Sequence, residues 1–166
     1  MAKKKSTGKS AAKKLRMAVV GTGGMGHDHC TISRTKVPEM DLVAVCDIAP
    51  EVAEKVGADH DVPFFLKHQD LIKADLCDAV MVATPHPEHP KVAVACMKAG
   101  LHVLTEKPMA EKVSAAERMV RTAKKEGVVL GVMFQRRFEP HFAKALQLVR
   151  DGELGAVHRA TLVSPE

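Results

Sequence analysis

The chain carries, at residues 17–26, the stretch Met17-Ala18-Val19-Val20-Gly21-Thr22-Gly23-Gly24-Met25-Gly26. Its Gly-x-Gly-x-x-Gly pattern follows an apolar run that predicts a strand. In such a pattern the first glycine permits a tight turn, the second lets backbone approach a pyrophosphate, and the third allows close helix packing. The next apolar run ends in Asp47, 21 residues beyond Gly26, where a carboxylate can accept hydrogen bonds from ribose hydroxyls. We therefore expect a dinucleotide-binding unit that uses Gly21, Gly23, Gly24, Met25, Gly26 and Asp47. A glycine-rich turn in an unrelated α/β protein is the alternative.

Apolar runs alternate with helical segments from Met17 onward. The runs predict strands at 17–20, 42–46, 79–83, 102–104 and 128–134. Between them, the pattern predicts helices at 50–56, ended by Gly57, at 69–74, at 89–99, ended by Gly100, and at 114–127, opened by a Ser114/Glu117 capping box. This rhythm predicts an α/β fold with a doubly wound parallel sheet, a Rossmann domain over residues 17–138.

The last segment departs from that rhythm. Residues 140–150 predict a helix, and residues 156–163 predict a strand that nothing follows. An unpaired strand at a chain end is an exposed edge. We therefore expect residues 139–166 to be the first helix and strand of an incomplete α+β substrate or oligomerisation domain.

The net charge of +5 comes from the amino-terminal end. Residues 1–16 hold seven of the 25 Lys and Arg and none of the 20 acids, so residues 17–166 carry 18 basic and 20 acidic residues, a net −2. We expect residues 1–16 to be a disordered basic tail, with contact to nucleic acid or an anionic surface as the alternative, and the rest to lack a basic face for nucleic acid. No run has the length of a membrane span.

The four cysteines show no close pairing, which favours buried reduced thiols in a cytoplasmic protein.

Further candidate site residues follow three more strands. They are Thr84, Pro85 and His86 after the third strand, Lys107 after the fourth, and Gln135 and Arg137 after the fifth. Ligands of doubly wound sheets bind beyond the carboxyl ends of strands, so these groups are expected near a nicotinamide. Lys107 could exchange a proton with the oxygen at the carbon that exchanges hydride. Gln135 would suit the nicotinamide amide, and Arg137 an acidic substrate. A solvated charge is the alternative for Lys107 and Arg137.

The nine histidines do not predict a metal site. His27 and His29 are two apart on a predicted helix and point to different sides. Proline flanks both His86 and His89. We expect His29 to pack or cap a helix, and no metal to be bound.

The sequence resembles the glucose–fructose oxidoreductase, inositol dehydrogenase and MocA (Gfo/Idh/MocA) family over about residues 15–166. The resemblance rests on the glycine motif with His29, on 44–47 ending in Asp47, on 83–85 with His89, on 100–108 with Glu106-Lys107-Pro108, and on the 152–155 corner. It implies that Lys107 is the active-site lysine, that Glu106 lies in the cofactor cleft and that His89 is a cofactor-binding residue. It also implies an NAD(P)-dependent dehydrogenase that moves hydride between nicotinamide and a sugar, cyclitol or related polyol.

The resemblance also implies a cofactor preference and an incomplete activity. Ile48 follows Asp47 where a basic residue often meets a 2′-phosphate, which favours NAD over NADP. Family members have about twice this length, and their second domain supplies the substrate pocket, the Asp and His partners of the lysine, and much of the homo-oligomer interface. The 166-residue chain is therefore expected to bind dinucleotide but to be catalytically incomplete. A catalytically inactive dinucleotide- or sugar-binding regulatory module remains the alternative, as does a structural remnant that binds neither.

Overall fold

The computed structural model describes residues 13–163, which divide after Met133 into two compact units. The first unit contains one sheet of six parallel strands in the order β3-β2-β1-β4-β5-β6. The strands are β1 (Leu15–Val20), β2 (Met40–Cys46), β3 (Phe64–Phe65), β4 (Ala79–Val82), β5 (His102–Thr105) and β6 (Leu130–Val132). The doubly wound parallel sheet predicted from the sequence is confirmed.

Helices connect these strands. They are α1 (Gly24–Thr35), α2 (Pro50–His60), α3 (His68–Lys73), α4 (His89–Lys98) and α5 (Val113–Glu126), with a one-turn 3₁₀ helix at His86–Glu88. The central strands are continuous apolar runs because helices cover both faces of the sheet. β4 is buried at all four positions. Alternate residues of β1 belong to two separate clusters, Ala18 and Val20 to one and Met17 and Val19 to the other, so the core is double-sided.

Two helix-boundary predictions are wrong. Gly57 lies inside α2, which continues to His60 and ends at Asp61 in the left-handed conformation (φ +51°). A Cβ at Gly57 would lie 3.1 Å from Cβ of Phe64, so this glycine serves close packing rather than termination. The predicted capping box is also absent, because α5 begins at Val113 and its N-cap, Lys112, has no side-chain cap.

The first strand begins earlier than predicted. Leu15 and Arg16 belong to β1, so they are not part of a tail. The Arg16 guanidinium donates two hydrogen bonds to the Asp78 carboxylate (2.7 and 3.1 Å), which lowers the pKa of Asp78 to about 2. Because its charge is paired with that of Asp78, Arg16 can lie in a strand of the sheet. In the rest of the predicted tail, Lys13 and Lys14 precede β1 without helix or strand, and residues 1–12 lie outside the described residues.

The second unit comprises residues 134–163 as far as the structure describes it. A one-turn 3₁₀ helix spans Gln135–Phe138, and α6 spans Pro140–Arg150, the helix that the sequence predicts. Residues 156–163 form no strand, contrary to the prediction. A strand requires a hydrogen-bonded neighbour, and none of the other described segments pairs with these exposed residues.

In the described part of the chain, no helix combines the length and apolar character needed to cross a bilayer.

Candidate cofactor site

Four predicted segments meet at one edge of the sheet. The parallel strands β1, β2, β4 and β5 end at the same edge, followed by the glycine turn, Asp47, Thr84 and Glu106 respectively. From β1 the chain first builds outward through β2 and β3, then returns to build β4 on the other side. The crevice between β1 and β4 is therefore the switch point at which doubly wound sheets bind ligands.

The glycine turn is shaped by its backbone contacts. Gly21 has φ +85°, and a Cβ there would lie 2.6 Å from the Thr84 nitrogen. A Cβ at Gly26 would collide with the Gly21 carbonyl oxygen. By contrast, Gly23 and Gly24 face open space, since a Cβ at either would meet nothing within 4 Å. Two glycines thus permit the turn itself, and two leave room in front of it.

The first turn of α1 offers unpaired donors. α1 begins at Gly24, and the N–H groups of a first helical turn have no partner within the helix. Here those groups belong to Gly24, Met25 and Gly26, and this first turn contains no acidic residue. The positive end of the helix dipole adds to their attraction for an anion. The turn can therefore hold a phosphate group.

Asp47 is fixed beside this turn by three hydrogen bonds. Its Oδ2 accepts the Thr22 N–H at 2.7 Å and the Thr22 hydroxyl at 3.3 Å, and its Oδ1 accepts the Ala49 N–H at 3.0 Å. Thr22 is buried. This role of Thr22 was not predicted from the sequence, although its position between two motif glycines was the available signal.

A cavity of about 410 Å³ opens beside Asp47. Its lining includes Gly21, Asp47, Ile48, Thr84 and Pro85. The Thr84 hydroxyl is buried without a hydrogen-bond partner among the described residues. A buried hydroxyl of this kind is usually satisfied, so it points to a missing polar partner. The open glycines, the fixed carboxylate and this hydroxyl fit the phosphates and ribose of a dinucleotide.

Two ionisable groups that line the cavity have shifted pKa values. Burial lowers the pKa of His68, and the neighbouring Lys91 lowers it further. Burial, with a contribution from the charge of Asp47, raises the pKa of Cys46 to about 12. Both groups therefore favour their neutral forms, which suits an apolar recess that receives an uncharged ring.

The two histidines that follow β4, His86 and His89, have different environments. His86 is exposed on the 3₁₀ helix, where it could contact a ligand. His89 is fully buried, with Nδ1 2.9 Å from the Pro108 carbonyl oxygen and Nε2 2.7 Å from that of Thr84. The predicted direct contact between His89 and a cofactor does not agree with this geometry, because backbone carbonyls occupy both ring nitrogens.

Glu106 and Lys107 follow β5. Glu106 is only 6% exposed, and its Oε1 lies 2.9 Å from His29 Nε2 on α1. The other oxygen accepts the Lys107 N–H at 3.0 Å. The Lys107 side chain is exposed at the carboxyl edge. His29 therefore positions Glu106, a partnership that the sequence analysis did not predict.

The remaining predicted residues lie in the second unit. Gln135 and Arg137 are exposed on its 3₁₀ helix, and the Arg137 guanidinium carbon lies 5.8 Å from the ring centre of Phe134. Their proposed contacts with cofactor and substrate stay predictions. Within residues 13–163, no three His, Cys, Asp or Glu side chains gather closely enough to hold a metal ion.

Comparison with known proteins gives a consistent result. A family model described as "Oxidoreductase family, NAD-binding Rossmann fold" (GFO_IDH_MocA) matches residues 15–134. An inositol 2-dehydrogenase of Rubrobacter xylanophilus is 36% identical over 150 residues, which are 87% of this chain and 42% of that protein.

Two solved structures of similar proteins contain bound ligands. The scyllo-inositol dehydrogenase of Lactobacillus casei with bound NAD(H) and scyllo-inositol superposes with a TM-score of 0.82 at 27% identity, over 86% of this chain and 43% of that one. The WlbA dehydrogenase of Bordetella pertussis in complex with NADH and UDP-GlcNAcA gives a TM-score of 0.83 at 30% identity, over 86% and 44%. The chain thus spans less than half the length of these relatives.

Proposed function

The chain belongs to the Gfo/Idh/MocA oxidoreductase family with its NAD-binding Rossmann fold, and from that premise we propose that its first unit binds NAD(H) across the crevice between β1 and β4. One observation carries the proposal. The Asp47 carboxylate, held by the Thr22 N–H at 2.7 Å, lines a cavity beside glycines that leave open space. A ribose requires such a fixed acceptor, and a diphosphate requires such an approach.

Each group of residues has a distinct task in this proposal. The N–H groups of Gly24, Met25 and Gly26 would bind the diphosphate, and Asp47 would accept hydrogen bonds from the adenosine ribose. The unpartnered Thr84 hydroxyl, with Pro85 beside it, would complete the wall of the crevice. Glu106 and Lys107 would face the nicotinamide half, and His86 would contact cofactor or substrate from the neighbouring loop.

Asp47 and Ile48, at the expected position of the adenosine ribose, favour binding of NAD over NADP. The Asp47 carboxylate would repel a 2′-phosphate, and the following residue, Ile48, is 89% exposed and carries no charge. Lys67 and Lys91 also line the cavity and would attract a phosphate. We expect the fixed carboxylate to dominate because it lies at the ribose position itself. Comparing the affinities for NADH and NADPH decides between these opposing effects.

For the reaction we propose a hydride transfer between a sugar, cyclitol or related polyol and nicotinamide. The bound dinucleotide would supply the hydride acceptor or donor. The ammonium of Lys107 would donate a hydrogen bond to the substrate oxygen or exchange a proton with it. Because the chain spans less than half the length of its relatives, we propose that the complete activity also requires residues outside this sequence and a homo-oligomer. Four buried free cysteines favour a reducing compartment such as the cytoplasm.

Calorimetric titration with NADH tests the binding proposal. We expect saturable binding by the wild-type chain and at least a ten-fold loss of affinity in Asp47→Ala, since a charge-assisted hydrogen bond contributes about 1.5–3 kcal/mol. Asp41→Ala is the matched control, because this exposed acid on β2 pairs with Lys14 at 3.0 Å instead. Absence of saturable binding, or equal affinity in Asp47→Ala and wild type, would overturn the proposal.

A second experiment tests the role of Lys107. In any longer form that oxidises polyols, Lys107→Ala should abolish turnover and retain NADH binding. Unchanged turnover would remove Lys107 from the reaction.

A further inference from the structure

His89 connects two loops that the proposed site uses separately. It is the first residue of α4, and its ring is fully buried. One ring nitrogen lies 2.7 Å from the carbonyl oxygen of Thr84, in the loop after β4. The other lies 2.9 Å from the carbonyl oxygen of Pro108, directly after Lys107 in the loop after β5. No other side chain with a described hydrogen bond joins these two loops.

We propose that His89 is a positioning residue, which ties the loop carrying Thr84 to the loop carrying Lys107 and so fixes the backbone from which the Lys107 side chain extends. This inference rests on the proposed NAD(H) site, because it explains how the lysine is held at that site. It also replaces the direct cofactor contact expected from the sequence.

The hydrogen-bonding capacity of the His89 ring determines what it can hold. Carbonyl oxygens only accept, so any favourable contact requires an N–H on the ring. Neutral imidazole has one such donor, and imidazolium has two. The ring has no solvent exposure, so water cannot replace a lost contact without rearrangement. A side chain without donors could pair with neither carbonyl and would release the contact at the Pro108 end.

Backbone hydrogen bonds also restrain the loops at the two ends of this connection. The Thr84 end lies between β4, buried at all four positions, and the 3₁₀ helix, where the Pro85 carbonyl accepts the Glu88 N–H at 2.9 Å. At the other end, Lys107 donates its N–H to its own neighbour, the Glu106 carboxylate. Between Pro108 and the start of α5, the structure contains no helix or strand. Glu106 donates its N–H to the Val82 carbonyl, and Met109 and Ala110 pack against the core, so His89 adds a side-chain connection near Pro108 to these restraints.

Two nucleotide probes separate this role from general stability. ADP requires the glycine turn and Asp47, whereas NADH also reaches the Lys107 loop. In His89→Leu, we expect NADH affinity to fall about five-fold or more while ADP affinity stays within about two-fold of wild type. His89→Gln retains an N–H donor and should recover part of the loss. It also keeps the test decisive if the leucine variant fails to fold. His60→Gln, a half-buried histidine at the end of α2, is the control.

Amide NMR spectra without nucleotide give a second readout. The signals of Glu106 and Lys107 should shift or broaden in His89→Leu, less in His89→Gln, and not in His60→Gln. A parallel loss of ADP and NADH affinity, or unchanged Glu106 and Lys107 signals, would overturn the inference. If the wild-type chain binds neither nucleotide, the proposed function fails, and the NMR comparison alone decides the role of His89.

Discussion

His29 on α1 and Glu106 at the end of β5 are joined by a hydrogen bond, with 2.9 Å between His29 Nε2 and Glu106 Oε1. Both side chains are nearly buried, at 11% and 8% exposed. Glu106 also accepts the Lys107 N–H, so one carboxylate connects the helix that begins at the glycine turn with the loop that carries the lysine. The diphosphate and nicotinamide halves of the proposed site are therefore mechanically linked.

Removal of this carboxylate should destabilise the chain. Glu106→Ala leaves the His29 ring and the Lys107 N–H without their partner, which should lower the free energy of unfolding by about 1–3 kcal/mol in urea. Glu106→Gln should cost less, because its amide can still accept. Glu117→Ala is the control, since this exposed residue on α5 forms a surface ion pair with Arg121 at 3.4 Å, and it should change stability by less than about 0.5 kcal/mol. Equal effects at the two positions would contradict a structural role for Glu106.

The glycines of the turn should separate folding from binding. In Gly26→Ala, the new methyl group collides with the Gly21 carbonyl oxygen, so the free energy of unfolding should fall by about 3 kcal/mol. In Gly23→Ala the methyl group meets nothing, and the residue has φ −61°, which alanine adopts readily. That variant should fold with wild-type stability and bind NADH at least about ten-fold more weakly, because the methyl group occupies the space of the diphosphate.

Urea unfolding and NADH titration of both variants check this prediction. Gly24, the first residue of α1, also faces open space and belongs to the proposed phosphate site, so Gly24→Ala should likewise fold normally and bind NADH more weakly. A Gly23→Ala chain that is strongly destabilised, or that binds NADH like wild type, would contradict the assignment of that glycine to cofactor approach.

Replacement of Ser114 tests whether α5 begins with the capping box that the sequence predicts. A capping serine would lose about 1 kcal/mol on replacement by alanine. In the structure Ser114 lies within the first turn of α5, and Lys112 is the N-cap, without a side-chain hydrogen bond. We therefore expect Ser114→Ala to change the free energy of unfolding by less than about 0.5 kcal/mol. Gly127→Ala, at the left-handed end of the same helix (φ +68°), should cost about 1 kcal/mol and serves as the positive control. A decrease in the free energy of unfolding in Ser114→Ala as large as that in Gly127→Ala would support the capping box and contradict the structure.

These differences show what local sequence could predict. Strands buried on both faces are continuous apolar runs, so the alternation of strands and helices could be predicted from the sequence. The position of Gly21 and Asp47 at the same edge of the sheet could be predicted for the same reason. A short edge strand such as Phe64–Phe65 could not be predicted, because its hydrogen-bonded neighbour, rather than its own pattern, defines it. The same holds for residues 156–163, whose β-like composition forms no strand without a neighbour.

The contacts that build the site depend on long-range register. His29 and Glu106 are 77 residues apart, and Thr22 and Asp47 are 25 apart. No periodicity relates these positions, so sequence could place each residue at the correct edge of the sheet without pairing them. For His89, the family pattern indicated the correct region but the wrong kind of contact, because its burial follows from how the two loops pack.

The buried thiols predict a specific pH dependence. Burial raises the pKa of Cys30, Cys46 and Cys96 to about 12, from an ordinary value of 9.0. Below pH 9 the folded and unfolded chains both hold these protons, and the thiols leave stability unchanged. Between pH 9 and pH 12 the unfolded chain releases the protons and the folded chain retains them. The free energy of unfolding should therefore fall as pH rises through this range.

Urea unfolding between pH 8 and pH 11 measures this fall, and Cys96→Ser reports the share of one thiol. The variant should be less stable at pH 8, because a hydroxyl is costly in this core position, yet lose stability less steeply above pH 9. At pH 8 a thiol-specific reagent should label no cysteine in the folded wild-type chain and all four after unfolding, since all four are buried and free. Labelling of the folded chain would show that these sulfurs are accessible, and an unchanged slope in Cys96→Ser would show that the pKa of Cys96 is not raised. Either result would contradict their assignment to the closed core.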